Sequence, residues 1–346
     1  MSIKDWNAGI IRPIPVAPDG PYQDGAAPGV WTLEQQAYWQ KQGLWPTAGN
    51  IDTSNRGVFG GGATGSTKNI IDYIAISTTG NATDFGDLAT GVAGLGSCAS
   101  STRGVFAGGT AAGRVNVIQR ITIASTGNAS DFGDLTGPTS GENNGLAGCS
   151  NSTRGVFGGG NEASGYINNL QYITIASAGN ATDFGDLTQG TMSSGSLAST
   201  TRGVWGGSGS NTINLISYIT IASAGDATYF GDLLSASRSA PTAGCSNSTR
   251  GLFIGGFSSN VINYITIAST GNAIDFGDML YNPGSVGSVG ACASSTRATF
   301  GGGYSGGYLN NINYVTIAST GNATDFGDLT VGRYALAACS NGHGGL

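Results

Sequence analysis

Near copies of the phrase TRGVFGGG place an arginine at Arg56, Arg103, Arg154, Arg202, Arg250 and Arg297, with spacings of 47, 51, 48, 48 and 47 residues. No other feature constrains the fold as tightly. A unit of this length, repeated without linkers, cannot bury its apolar surface alone and must stack on copies of itself. Each unit reads as four short strands, a to d. In the third unit GLAGCSNS is small and alternating (a), and TRGVFGGG is a β-rich run ending in glycines (b). NNLQYITIAS sets Tyr172, Thr174 and Ala176 against Ile173 and Ile175 (c), and TDFGDL closes the unit (d).

The connections support antiparallel pairing throughout a unit. The a–b link is a short SST or NST, and glycine followed by Asn or Asp recurs between c and d: Gly80-Asn81, Gly127-Asn128, Gly179-Asn180, Gly225-Asp226, Gly271-Asn272 and Gly321-Asn322. That pair predicts a two-residue hairpin with positive φ at glycine. Both alternation sets of strand c are apolar or small, so both faces of each sheet must be covered. The 61 glycines among 346 residues let neighbouring backbones approach where side chains would not fit. The expected fold is all-β, a six-bladed β-propeller of four-stranded antiparallel blades.

The ends separate a ring from an open solenoid. After Leu329 the chain adds YALAACSNGHGGL, a surplus strand a with no b, c or d behind it. A solenoid would finish in a polar cap. A ring closes by sending the surplus strand into the first blade, beside RGVFGGG at 56–62. The stretch PTAGNIDTSNRG at 46–57 also resembles a strand a but carries one extra residue before the arginine, so the C-terminal copy is the expected closing strand.

Residues 1–47 follow a different pattern from the propeller at 48–346. A Pro-rich extended stretch leads to one helix in APGVWTLEQQAYWQKQGLWP, with Thr32 as N-cap, Gln35 in the capping-box position, and Gly43 and Pro46 past its end. Trp31, Tyr38, Trp39 and Trp45 crowd this segment. Either it caps the propeller or it docks the protein onto a partner.

Charge and motif content narrow the function. The net charge is −6, and the 14 Lys and Arg form no basic cluster, which argues against a nucleic-acid partner. No run approaches 18 apolar residues and the N-terminus lacks the apolar core of a signal peptide, so neither membrane insertion nor Sec export is expected. His343 is the only histidine, which leaves no Ser-His-Asp or Cys-His arrangement. The glycine runs are not phosphate loops, because no helix follows them. No catalytic residue, cofactor or metal is assigned, and the chain is expected not to be an enzyme. A polysaccharide-degrading enzyme would need paired carboxylates across a groove, whereas the aspartates here belong to the repeat.

Three repeated features have structural explanations. Cys98, Cys149, Cys245, Cys292 and Cys339 occupy one position of strand a, shared by Leu197, which points to buried thiols rather than a ring of metal ligands. The six arginines, with Asp87, Asp134, Asp186, Asp232, Asp278 and Asp328 of the DFGD phrases, suggest ion pairs or turn caps between blades. Calcium held by pairs such as Asp84 and Asp87 is the alternative. The sequons at Asn81, Asn128, Asn180 and Asn322 all fall in the c–d connection, where asparagine suits the backbone, and read as incidental.

The double glycine ending strand b, followed by a Tyr-containing strand, resembles the kelch blade, without the usual kelch tryptophan. The wording TRGVFGGG…INYITIASTGNATDFGDL more closely resembles repeats in tail-fibre-like and other virion proteins of marine tailed phages, cyanophages especially, over about 295 residues. That resemblance implies a virion protein made in the host cytoplasm and present in many copies. It would be a tail fibre or adhesin that recognises a host-surface glycan or protein, or otherwise a capsid or tail decoration protein. The N-terminal aromatics would then dock onto another virion component.

Comparison among the six units locates the expected recognition surface. The a–b and c–d connections barely vary, whereas the b–c and d–a loops vary freely and emerge on one face of the ring. Diversity on one face of a rigid scaffold marks a binding surface. Its aromatic candidates are Tyr166, Trp205, Phe257, Tyr281, Tyr304 and Tyr308, with Lys68, Arg114, Glu162 and Arg238 as polar ones. Aromatic rings beside polar groups suit sugar faces.

Overall fold

The computed structural model describes Thr32, Glu34, Gln35, Ala37 and Tyr38, and residues 55–346 apart from 137–144, 163–164, 209–212, 235–242, 257–258 and 282–288. The propeller unit runs from Asn55 to Leu346. It consists of six four-stranded antiparallel sheets, each paired in the order a-b-c-d. Strand a of blade 1 is Ala337–Ser340, paired with Arg56–Gly60 (b), and strands Ile70–Ala75 (c) and Thr83–Asp87 (d) follow. The register sets Gly57 opposite Ser340, and Phe59 opposite Ala338. The C-terminal copy therefore closes the ring, as its spacing predicts, and residues 46–54 of the rival stretch lie outside the described residues. Blade 2 comprises Gly96–Ala99, Arg103–Ala107, Val117–Thr122 and Ser130–Asp134. Blades 3 to 6 repeat the plan, and blade 3 adds a small hairpin pairing Asn161–Glu162 with Gly165–Tyr166.

One apolar cluster fills each seam between blades. At the first seam Val58, Ile71, Phe85 and Leu88 of blade 1 pack on Ala99, Phe106, Ile121 and Ile123 of blade 2. Burying a side chain such as Phe85 contributes about 1.5–3 kcal/mol, and strand c places Ile71 in this seam and Ile74 in the seam on its other side. Trp205 belongs to this packing. It sits in strand b where other blades carry phenylalanine, is 2% exposed, and shares a cluster with Val156, Leu170 and Phe184. Its expected place on the recognition surface is therefore corrected: strand alternation points this ring into the seam.

The DFGD and Gly-Asn phrases form a clasp across each seam. The c–d connection is not a two-residue hairpin. In blade 2 the chain turns just after strand c, where the Ser125 N–H donates to the Thr122 carbonyl at 3.2 Å, and then runs extended to Ser130. That extended stretch lies along strand d of blade 1. The Gly127 N–H donates to the Phe85 carbonyl at 2.7 Å, and the Ala129 N–H to the Asp87 carbonyl at 2.8 Å. The Asn128 side-chain oxygen accepts from the Asp87 N–H at 3.0 Å. Gly86, between these bonds, has φ of +140°, and a Cβ there would stand 2.6 Å from the Gly127 backbone. The same bonds recur around the ring. Where Asp226 replaces asparagine, its carboxylate still accepts from the Asp186 N–H at 3.0 Å. The clasp needs an acceptor rather than a glycosylation site, which accounts for the sequons.

The repeat arginines also cross the seams, but to backbone rather than carboxylates. Arg56, Arg103, Arg154, Arg202, Arg250 and Arg297 each donate through Nη1 to the carbonyl of Ile123, Ile175, Ile221, Ile267, Ile317 or Ile76 of the next blade, at 2.8–3.0 Å. In five blades the guanidinium also lies 4.3–4.6 Å from the centroid of a strand-c tyrosine. The ion-pair expectation between these arginines and the DFGD aspartates is thus corrected. The unpaired carbonyls just past strand c offer a closer and better-aligned target than carboxylates held on strand d.

The cysteines are buried free thiols facing the next blade. A Cβ on Gly155 of blade 3 would lie 2.4 Å from the Cys98 sulfur, so this thiol fills the space that glycine leaves. Burial pushes the Cys292 pKa up to about 12 and raises the other four as well. Their folded values lie above the ordinary thiol value near 8.5. They thus contribute stability that is fully present below that value and is lost as pH climbs from there toward 12. Two outcomes are expected. At pH 8 the native protein resists a thiol reagent while the urea-unfolded chain reacts at all five positions, and the urea midpoint falls steadily between pH 8.5 and 11. Rapid native labelling at pH 8 would contradict this packing.

The six a strands line a central channel. The tail following Ser340 folds back into its a–b end, where His343 Nε2 lies 2.9 Å from the Ala99 carbonyl and the Gly344 N–H donates to the Ser246 carbonyl at 2.8 Å. Desolvation in this position lowers the His343 pKa.

In the N-terminal unit, the Thr32 N–H donates to Gln35 Oε1 at 2.9 Å and the Gln35 N–H to Thr32 Oγ1 at 3.2 Å, a capping box where the sequence places one. Tyr38 is exposed on the helix that follows. Trp31, Trp39 and Trp45 lie outside the described residues.

Candidate functional site

Because strands alternate in direction, the b–c and d–a loops share one face, and at the seam of blades 6 and 1 three tyrosines meet there. Tyr304 and Tyr308 face each other across the b–c hairpin of blade 6, with centroids 5.4 Å apart and planes at 64°. Between them Gly306 has φ of +72° and open space where a Cβ would be, so the hairpin tip is bare. Tyr334, in the loop leading to the closing strand, lies parallel to Tyr308 at 8° and 6.0 Å, and edge-on to Tyr304 at 6.4 Å. Tyr308 is 42% exposed and the other two are half-buried.

A buried ion pair fixes this group. Arg333 precedes Tyr334 and is fully buried, with Nη1 2.7 Å from Asp72 Oδ2, while Asp72 on strand c of blade 1 is equally inaccessible. Arg333 also donates Nε to the Gly61 carbonyl at 2.8 Å and Nη2 to the Phe59 carbonyl at 3.3 Å, and Thr330 Oγ1 donates to Asp72 Oδ1. The arginine backbone holds the hairpin: its carbonyl accepts from the Gly303 N–H at 2.9 Å and its N–H donates to the Leu309 carbonyl at 3.1 Å. The Tyr334 backbone pairs in turn with Ala63 of blade 1. The rings are thereby held on a rigid, desolvated support rather than a free loop.

The other expected recognition residues fare unequally. Tyr166 is exposed on the small hairpin of blade 3. Tyr281 is mostly enclosed, and its hydroxyl donates to the Gly302 carbonyl at 3.1 Å; burial raises its pKa. This side chain braces the b–c loop of blade 6 rather than facing a ligand, which corrects its assignment. Arg114 reaches Asn161 of the neighbouring blade at 3.3 Å, and the Lys68 amine lies 3.5 Å from the Ser66 hydroxyl. Phe257 and Arg238, and the side chain of Glu162, lie outside the description. Sequence reading missed Tyr334, Arg333 and Asp72. The available signal was the position of Asp72, where the other blades carry uncharged Gln119, Gln171, Ser217, Asn263 and Asn313.

Among the described residues no group of three or more His, Cys, Asp or Glu is placed to hold a metal ion, and no helix is long and apolar enough to cross a membrane. Fold and site together define a closed six-bladed β-propeller carrying an aromatic cluster on its variable face. No protein-family model matches the chain, and no curated protein matches it.

Proposed function

We propose that this chain is a non-enzymatic virion protein of a tailed phage, a tail-fibre or adhesin-type component that presents its variable face to a host-surface glycan. The observation that carries the reading is the cluster of exposed Tyr308 with half-buried Tyr304 and Tyr334, on a face whose loops differ from blade to blade and locked from below by a buried ion pair. Tyrosine combines a flat apolar ring, which stacks on the C–H face of a sugar, with a hydroxyl that exchanges hydrogen bonds with sugar hydroxyls. The wording of the repeat supports the virion setting. The N-terminal helix and its aromatics fit the docking of many copies onto another virion component, and deleting residues 1–47 is expected to abolish incorporation into particles.

The test is binding of the purified protein to host-surface polysaccharide. Replacing both Tyr304 and Tyr308 by alanine is expected to weaken binding about tenfold or more, because these side chains support the cluster rather than the core. The thermal midpoint should stay close to that of the parent. No binding by the parent, or equal binding by the variant, would leave a decoration role in the particle.

A further inference from the structure

Blade 2 breaks the arginine pattern of the ring. In blades 1, 3, 4, 5 and 6 the arginine opening strand b lies over Tyr73, Tyr172, Tyr218, Tyr264 or Tyr314. Blade 2 has Arg120 at that position, opposite Val105, which makes Arg103 its diagonal neighbour on the same face of the sheet. Both arginines line a polar cavity of about 250 Å³, together with Thr122, Asn128 and Ser130, on the face of the a–b and c–d connections.

The local charges are not balanced from within. Arg103 Nη1 is bonded to the Ile175 and Ala176 carbonyls, and Arg120 Nε lies 3.3 Å from the Ser130 hydroxyl, so the partners of both guanidiniums are neutral. The only ion pair among the described residues is Arg333 with Asp72, far from this cavity in sequence and on another blade. Asp131, next along strand d, pairs with Gln119 and so belongs to the opposite face of the sheet. Two neighbouring guanidiniums repel, and the fork of N–H donors that each presents matches the oxygens of a sulfate or phosphate group.

We propose that the Arg103–Arg120 cavity is a binding site for a tetrahedral oxyanion, a sulfate or phosphate group, either free or esterified to a larger molecule. Guanidinium groups bracket the anion while Thr122, Asn128 and Ser130 supply neutral hydrogen bonds. The site is on the opposite face from the tyrosine cluster and does not depend on the glycan reading.

Calorimetric titration at constant ionic strength, with sodium sulfate, sodium phosphate and a sulfated disaccharide as separate probes, tests the proposal. Saturable one-to-one binding of at least one probe is expected, weakened about tenfold or more in Arg120→Tyr. That variant restores the residue used by the other five blades and so is expected to fold with an unchanged or raised thermal midpoint. Arg120→Gln serves as a second variant with the same expected loss. Tighter binding of the disaccharide than of sulfate identifies an esterified ligand, and equal or weaker binding a free ion. No saturable binding of any probe, or an affinity in both variants equal to that of the parent, overturns the proposal.

Discussion

Removing Tyr334–Leu346 is expected to prevent the chain from reaching its native state. The segment supplies strand a of blade 1, and without it strand Arg56–Gly60 becomes a bare edge whose unpaired backbone groups face the channel. Leu336, Ala337 and Cys339 also leave the two clusters that flank blade 1, so both neighbouring seams lose packing. An exposed strand edge flanked by uncovered apolar side chains recruits other chains. The truncated protein should therefore elute as aggregates in gel filtration and lack a near-ultraviolet circular dichroism signal. A shorter deletion of residues 342–346, which removes only the channel plug, should stay monodisperse with a lowered thermal midpoint. A soluble, cooperatively unfolding 333-residue fragment, 346 less the 13 residues removed, would contradict closure by this strand.

The second large effect is expected at Arg333. Its replacement by methionine leaves the Asp72 carboxylate buried without its cation and removes the side-chain donor to the Gly61 carbonyl. Breaking a buried pair from one side costs about 3–5 kcal/mol, whereas exchanging both partners for apolar groups of similar size is often close to neutral. Urea unfolding of Arg333→Met should show that loss, and the double variant Arg333→Met with Asp72→Leu should recover most of it. The same single variant is expected to weaken glycan binding, because Arg333 holds the hairpin bearing Tyr304 and Tyr308 and fixes the adjacent Tyr334. Recovery of stability in the double variant without recovery of binding would assign the ion pair to the geometry of the site rather than to closure of the ring.

The ring was legible in the sequence because its signals are local and recur in every unit. Strand alternation, the Arg spacing and the surplus AACS strand each point to the same architecture. The clasp was less legible. Gly127-Asn128 has the composition of a hairpin turn, yet its hydrogen bonds go to Phe85 and Asp87 of the preceding blade, a partner that no local pattern reveals. Arginine beside repeated aspartate likewise suggested charge pairing, while the actual acceptors are carbonyls at the end of the next blade's strand c. Trp205 and Tyr281 show the limit for the site itself. An aromatic residue near a variable loop reads the same whether it faces solvent or a seam, and only the strand register decides. Tyr334 was hidden because it gains meaning only once ring closure brings it against Tyr308.

Amide hydrogen exchange of the full chain, with and without host-surface polysaccharide, distinguishes recognition through the tyrosine cluster from binding elsewhere, since slowed exchange marks the backbone that binding holds closed. Slowed exchange is expected across Gly303–Leu309 and Val331–Ala335, with the clasps at Gly127–Ala129 and its equivalents unchanged. Slowing confined to the clasp face, or none anywhere on the propeller, would contradict recognition through the tyrosine cluster.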